Sequence, residues 1–213
     1  MERTITVKGT GSATARPDLV EIKLTLDSQH MNYEKTMAEA AKQHDAIVAS
    51  LNPCGIMKSD IKTASFNVDT HYEREETSRG NYKSVFRGYN CEQELTFTFD
   101  LDKKHLAQVL SALSDCSAKP EFSIRFTVKD NTALKNEALI SATKDARAKA
   151  ELLAKASGTT LGDLVSIDYF WKDINIYSDS LCDAMPIGCS QAVDIEPDDV
   201  AINDAVTFIW SIG

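Results

Sequence analysis

The chain opens on alternation. After "TITVKG", the stretch "DLVEIKLTLD" sets Leu19/Val20, Ile22, Leu24 and Leu26 against Glu21, Lys23 and Thr25, a period of two that predicts a strand. The period then lengthens. "NYEKTMAEAAKQHDAIVASLNPCG" places Tyr33, Met37, Ala41, His44, Val48 and Leu51 on one face at spacings of three and four. That pattern predicts an amphipathic helix, with Asn32 as N-cap and Asn52-Pro53-Cys54-Gly55 ending it. "DIKTASFNVDTHYE" returns to a strand through Ile61, Thr63, Ser65 or Phe66, and Val68. The polar "REETSRGNYKS" reads as a hairpin tip and "VFRGYNCEQELTFTFDL" as a long returning strand. A second helix follows in "DKKHLAQVLSALSDC", with Leu106, Val109, Leu110 and Leu113 on one face and Asp102 as its cap.

The second half repeats this plan. "EFSIRFTVKD" reads as a strand through Phe122, Ile124, Phe126 and Val128. "NTALKNEALISATKDARAKAELLAKASG" reads as a helix faced by Leu134, Ala138, Ala142, Ala146 and Leu153, with Gly158 at the left-handed C′ position. "LVSIDYFWKDINIY" and "VAINDAVTFIWSI" are the remaining strands. The expected fold class is α+β: two βαββ-type modules with antiparallel or mixed sheets covered by helices, joined by a middle helix. Residues 1–117 hold the N-terminal strand, the first module and the linking helix. Residues 118–213 hold the second module, with a long loop at about 178–196 rich in Ser, Asp, Gly and Pro. Ile22 to Ile61 spans 39 residues and Ile124 to Val165 spans 41, so an old duplication is compatible with the spacing.

"KGTGSATARPD" raises the question of a phosphate-binding loop. A dinucleotide fingerprint needs G-x-G-x-x-G opening into a helix, whose amides and dipole meet the pyrophosphate. Gly9 and Gly11 fit, but Thr14 stands at the third position and Pro17 and a strand follow. The glycines are therefore expected to supply turn or bulge geometry between two strands.

Composition narrows the function classes. The 213 residues are 43% hydrophobic, enough for a substantial core, and the net charge is −9. No run of adjacent basic residues is longer than two, so the surface repels phosphate backbones and nucleic-acid binding is not expected. No stretch of about 18 apolar residues offers a membrane helix. Residues 1–20 hold no apolar h-region, and Cys54, Cys91, Cys116, Cys182 and Cys189 are odd in number and scattered. Together these predict a cytoplasmic chain with reduced thiols; a periplasmic or envelope location is the alternative if a signal peptide has been removed.

The motifs that carry chemistry fail one by one. An EF-hand loop from Asp194 would need Gly and Glu where Asp199 and Ala205 stand. Cys182 and Cys189, near Asp179 and Asp183, have neither a zinc spacing nor a nearby histidine, which leaves a redox-responsive protein or an uncharacterised enzyme using this loop as the rival reading. His30, His44, His71 and His105 are dispersed, and His44 is expected to be packed. S-x-x-K occurs at Ser59/Lys62 and Ser141/Lys144 without its companion elements. No catalytic, cofactor or metal residue is assigned.

Four stretches in order resemble the SIMPL domain family: "ITVKGTGSATARPDLVEIKLTL", "RGYNCEQELTFTFDLDKKHLAQVL", "DARAKAELLAKASGTTLGDLVSID" and "IEPDDVAINDAVTFIWSI". The resemblance implies two βαββ-type units, often in exported or envelope proteins of bacteria. It also implies, for some relatives, a link to oxidative stress or to kinase-associated signalling, and it supplies no catalytic residues. The expected function is a non-enzymatic binding or assembly protein with an unidentified protein partner. It is expected to self-associate through the outer strands "TITVKG" and "AVTFIWSI", which are apolar with few charges to blunt pairing, the second having neither a charged nor a proline guard.

Overall fold

The structure, a computed structural model, describes residues 3–76, 82–170, 177–178 and 196–213. Their elements run β1 (Thr4–Ala15), β2 (Leu19–His30), α1 (Tyr33–Leu51), β3 (Lys62–Glu76), β4 (Tyr82–Asp100), α2 (Lys103–Ser114), β5 (Glu121–Thr127), α3 (Asn131–Ala156), β6 (Leu161–Asp168) and β7 (Val200–Ile212). In chain order this is an N-terminal strand, a βαββ module, a middle helix and a second βαββ module. The fold is α+β with antiparallel sheets. The sheets draw strands across that order: one reads β1-β7-β6 and the other β3-β4-β2-β5. The described residues group into two compact units, one built from 3–18, 126–170, 177–178 and 197–213, the other centred on 19–125.

In the second of these, β2 keeps its alternation. Val20, Ile22, Leu24 and Leu26 are buried while Glu21, Lys23 and Thr25 are half-buried. Helix α1 starts where Asn32 accepts a hydrogen bond from Lys35 N at 3.2 Å, and α2 where Asp102 accepts one from His105 N at 2.7 Å. The buried face of α1 is Thr36, Ala40, Ile47 and Leu51, about one residue round from the face read in the sequence. Tyr33 and Ala41 are exposed, and His44 is half-buried. The reason is Thr36, fully buried, whose hydroxyl lies within hydrogen-bond reach of the carbonyls of His30, Asn32 and Tyr89. A satisfied hydroxyl tolerates burial, so a polar residue holds a core position that hydrophobicity alone would not assign.

The other unit rests on one contact surface. Strand β1 pairs with β7 without a register break from Thr4↔Ser211 to Ala15↔Val200. The expected turn or bulge at Gly9 and Gly11 is thus absent: both lie mid-strand. Their role is close approach. A Cβ at Gly9 would strike Ala142 O and come within 2.6 Å of Ala146 Cβ; at Gly11 it would strike Ala138 O and Ala142 N. Ala138, Ala142, Ala146 and Ala150 are fully buried and Ala154 nearly so, one residue every four along α3, with Leu153 exposed rather than closing that face. Val7, Val206, Phe208 and Trp210 pack with Ala142, Ala146 and Ala150; Ala13, Val200 and Ile202 pack with Leu134 and Ala138. Gly158 takes φ 72°, the left-handed turn that ends α3.

Strand β7, expected at an outer edge, is central: β1 and β6 flank it on both sides. Its apolar run is explained by burial beneath α3, where Val206, Phe208 and Trp210 are 7% exposed or less. The long loop at about 178–196 lies outside the described residues except at its ends.

Gly11→Ala removes backbone entropy from the unfolded chain and would ordinarily stabilise a strand. Here the new methyl meets helix backbone, so Gly11→Ala and Ala142→Leu should each destabilise by about 1–3 kcal/mol. Urea unfolding checks this; an unchanged midpoint would mean that β1 and α3 do not touch at these residues.

Candidate functional site

On β1, the odd residues from Val7 to Ala13 face α3, so Lys8, Thr10 and Ser12 project from the other face. On β7, Asn203, Ala205 and Thr207 project with them, since Ser12↔Asn203, Thr10↔Ala205 and Lys8↔Thr207 are paired. The last pair of β6 with β7 is Asp168↔Thr207. Lys8, Thr207 and Asp168 therefore form one row across three strands. Beyond Asp168, β6 ends while β7 continues for seven residues back to Val200, and a groove of about 660 Å³ opens beside that uncovered length. Phe170 forms one wall, and the lining extends to Gly11, Asp204 and Ser141 of α3.

The chain leaving β6 is fastened. Tyr169 OH donates to Asp204 Oδ2 at 2.9 Å, and Asp204 Oδ1 accepts from Ala205 N at 2.7 Å. Burial and then the Asp204 carboxylate push the Tyr169 phenol above its ordinary value, so the donor stays protonated at neutral pH. Next to this anchor, Phe170 is 83% exposed. Among the described residues Lys8 Nζ and the Asp168 carboxylate make no hydrogen bond or ion pair. The groove therefore offers one cation, one free anion, hydroxyls, an amide and an aromatic face. It presents no nucleophile aligned with a base.

A different carboxylate reaches the outer side of β1 at Thr10. Thr10 N donates to Asp145 Oδ2 at 2.8 Å, and Lys149 Nζ donates to the same oxygen at 2.6 Å. Thr10↔Ala205 is a pair whose amides do not face each other, so the Thr10 N–H points outward from the edge and α3 takes it. Lys149 first, then Thr10, hold the Asp145 carboxyl below the usual carboxylate range.

The other sequence candidates stay dispersed. Lys62 Nζ donates to the Ser59 carbonyl at 2.6 Å, while the Ser59 hydroxyl turns to Asp60, so no serine–lysine pair forms there. Ser141 lines the groove without Lys144. His30 accepts from Asn32 N, and the His105 ring donates to the Cys54 carbonyl. Glu196 pairs with Lys103 at 3.1 Å. Among the described residues no three His, Cys, Asp or Glu side chains cluster as metal ligands. Cys91 and Cys116 are buried free thiols, and burial pushes the Cys91 thiol above its ordinary value. Cys182 and Cys189 lie outside the described residues. The groove itself had no signal in the sequence beyond the alternation of Thr, Ser and Lys with Gly in β1.

The fold and groove define an α+β protein with a polar groove on an antiparallel sheet and no catalytic constellation among the described residues. The chain belongs to the SIMPL family, described as a protein family of unknown function (DUF541), which matches residues 5–210. It is similar to the 26 kDa periplasmic immunogenic protein of Brucella melitensis, at 24% identity over 163 residues. A protein of the same description from Brucella abortus is 23% identical over 163 residues. Each match covers 76% of this chain and 65% of the relative. Among the described residues, no helix is long and apolar enough to cross a membrane.

The Asp145 contact fixes a pH dependence. Its folded pKa lies below its unfolded value of about 3.9, so the contact stabilises fully above that value and is lost as pH falls through the folded one. Asp145→Asn should therefore melt below the wild type near neutral pH, and the gap should close as the pH falls below about 4. A gap independent of pH would mean that the charge contributes nothing.

Proposed function

We propose that this chain is a non-enzymatic binding and assembly protein that self-associates through unpaired strand edges. The observation that carries the reading is β6. Among the described residues it is an edge strand, whose Leu164, Val165 and Ile167 are 48%, 52% and 56% exposed. Leu164 pairs with Trp210 and Ile167 with Phe208, and paired residues share a face of the sheet, so both side chains lie on the face that carries those two rings. Edges of monomers are usually blunted by Lys, Pro, bulges or a covering element; β6 contains neither Lys nor Pro, its charges are Asp163 and Asp168, and its bulged pairing is confined to the stretch before Ser166. Two register irregularities between Leu161 and Ser166 leave Ser166, Ile167 and Asp168 in regular pairing.

This shifts the proposed surface. At the edge of β1 the Thr10 amide is taken by Asp145 of α3, and β7 is central, so β6 replaces the strands that the sequence pointed to. Strand β3 is a second open edge, exposed along most of its 15 residues, but its polar sequence makes it the weaker candidate. The periplasmic description of the two Brucella proteins supports an envelope setting over the cytoplasmic one.

Size exclusion with light scattering at micromolar concentration should return a multiple of 23.5 kDa, and Ile167→Lys should reduce it to the single-chain mass. A monodisperse single-chain mass for the wild type would overturn self-association.

A further inference from the structure

We infer that the groove at the end of β6 binds a neutral saccharide, with Phe170 as its stacking face and Lys8, Asn203 and Asp168 as its hydrogen-bonding groups. This adds a ligand class to the binding reading above and does not depend on self-association.

The lining selects among ligands by exclusion. Lys8 would welcome an anion, but Asp168 stands on the same sheet row and Asp204 nearby, so phosphate or an acidic chain meets repulsion within the same groove. A metal ion would meet Lys8, and Asp204 already spends its two oxygens on Tyr169 and Ala205. A purely apolar ligand would strip water from Lys8, Asp168, Asn203 and the hydroxyls of Thr10 and Thr207 without replacing those hydrogen bonds, which is costly.

A sugar ring satisfies all of these at once. Its vicinal hydroxyls both donate and accept. They can donate to the Asp168 carboxylate and accept from the Lys8 ammonium and the Asn203 amide. Hydrogen bonds to charged groups are the stronger kind, and neither charge needs an opposite charge on the ligand. The backbones carrying Lys8 and Asp168 are two strand spacings apart, about 10 Å, with Thr207 between them. That leaves a floor of short side chains, Thr207 and Ala205, on which a ring can lie. The C–H face of the ring then meets Phe170, whose negative π-face attracts the positively polarised hydrogens. An aromatic ring 83% exposed at the mouth of a polar groove is hard to explain as core. Tyr169 acts as a positioning residue: its bond to Asp204 holds the chain immediately before Phe170.

An array of neutral oligosaccharides probed with the full chain, followed by calorimetric titration of the best ligand, tests this. We expect saturable binding at about 1 mM or tighter. Phe170→Ala and Asp168→Asn should each weaken it about tenfold while the melting temperature stays at the wild-type value. Tyr169→Phe should weaken binding while Phe170 remains. No saturable binding to any neutral oligosaccharide overturns the assignment. So does binding that Phe170→Ala and Asp168→Asn leave unchanged, or a preference for inorganic phosphate or acidic sugars. Light scattering on the same samples separates the two proposals. A monomer that binds sugar refutes self-association alone, and an oligomer that binds none refutes the groove assignment alone.

Discussion

How closely α3 lies on β1 decides most of what the first unit can be. With no Cβ at Gly9 or Gly11 and only methyl groups at Ala138, Ala142 and Ala146, backbone meets backbone. Side chains of ordinary size would hold a helix farther off the sheet; dispersion falls steeply with separation, so the small residues turn lost side-chain area into close contact. Three consequences follow. The helix sits low enough for Asp145 to reach the Thr10 amide. The bulky apolar residues move to β7, where Val206, Phe208 and Trp210 fill the space beside the alanine ridge. The even positions of β1, turned away from α3, are free to be Thr, Lys and Ser.

The second unit is held by other means. Val20, Ile22, Leu24 and Leu26 bury one face of β2, and Ile47, Leu51, Val109 and Leu113 are buried on the helices. Its β3–β4 pair extends past the last β2–β4 partners, His30↔Tyr89, to Glu76↔Tyr82. A two-stranded ribbon alone is marginal in water. Here edge-to-face contacts run from Tyr33 to Tyr89, Phe86 and Tyr72, each pair with ring centroids 5.5 Å apart. They tie the ribbon back to the start of α1.

What the sequence made legible was local. Period-two runs located the strands, and Asn32, Asp102 and Gly158 marked helix ends whose cap geometry is seen directly. Residues 5–210 match the family that four loose motifs suggested. What stayed illegible was set by partners distant in sequence. The apolar run of β7 reads the same whether the strand is an open edge or lies between two others, because burial by α3 and burial by a second chain require the same residues. Gly9 and Gly11 read as a turn because a strand glycine signals either a bend or a close approach, and only the alanines about 130 residues later decide between the two. The face of α1 slipped because Thr36 owes its place to carbonyls of other segments. The groove was invisible because it depends on where β6 stops, and element boundaries are the least determined feature of a hydrophobic pattern.

The stopping point of β6 links the two functional proposals. A three-stranded sheet with one face under a helix has two edges and one open face on which to present anything. On β1 the helix takes the edge amide of Thr10 through Asp145. At β6 the strand is eight residues against thirteen in β7, so the same edge offers two environments. Along Leu164, Val165 and Ile167 it carries exposed apolar side chains suited to a protein surface. Past Asp168, β7 has no second strand among the described residues, and the notch carries charge, hydroxyls and the ring of Phe170. Lengthening β6 by a few residues would cover β7, bury Asn203 and Ala205 against a neighbour and remove the notch. Under the two proposals the short strand is therefore the feature by which one edge would serve both a neighbouring chain and a small polar ligand, and the Tyr169–Asp204 bond immediately after it fastens the residue before Phe170.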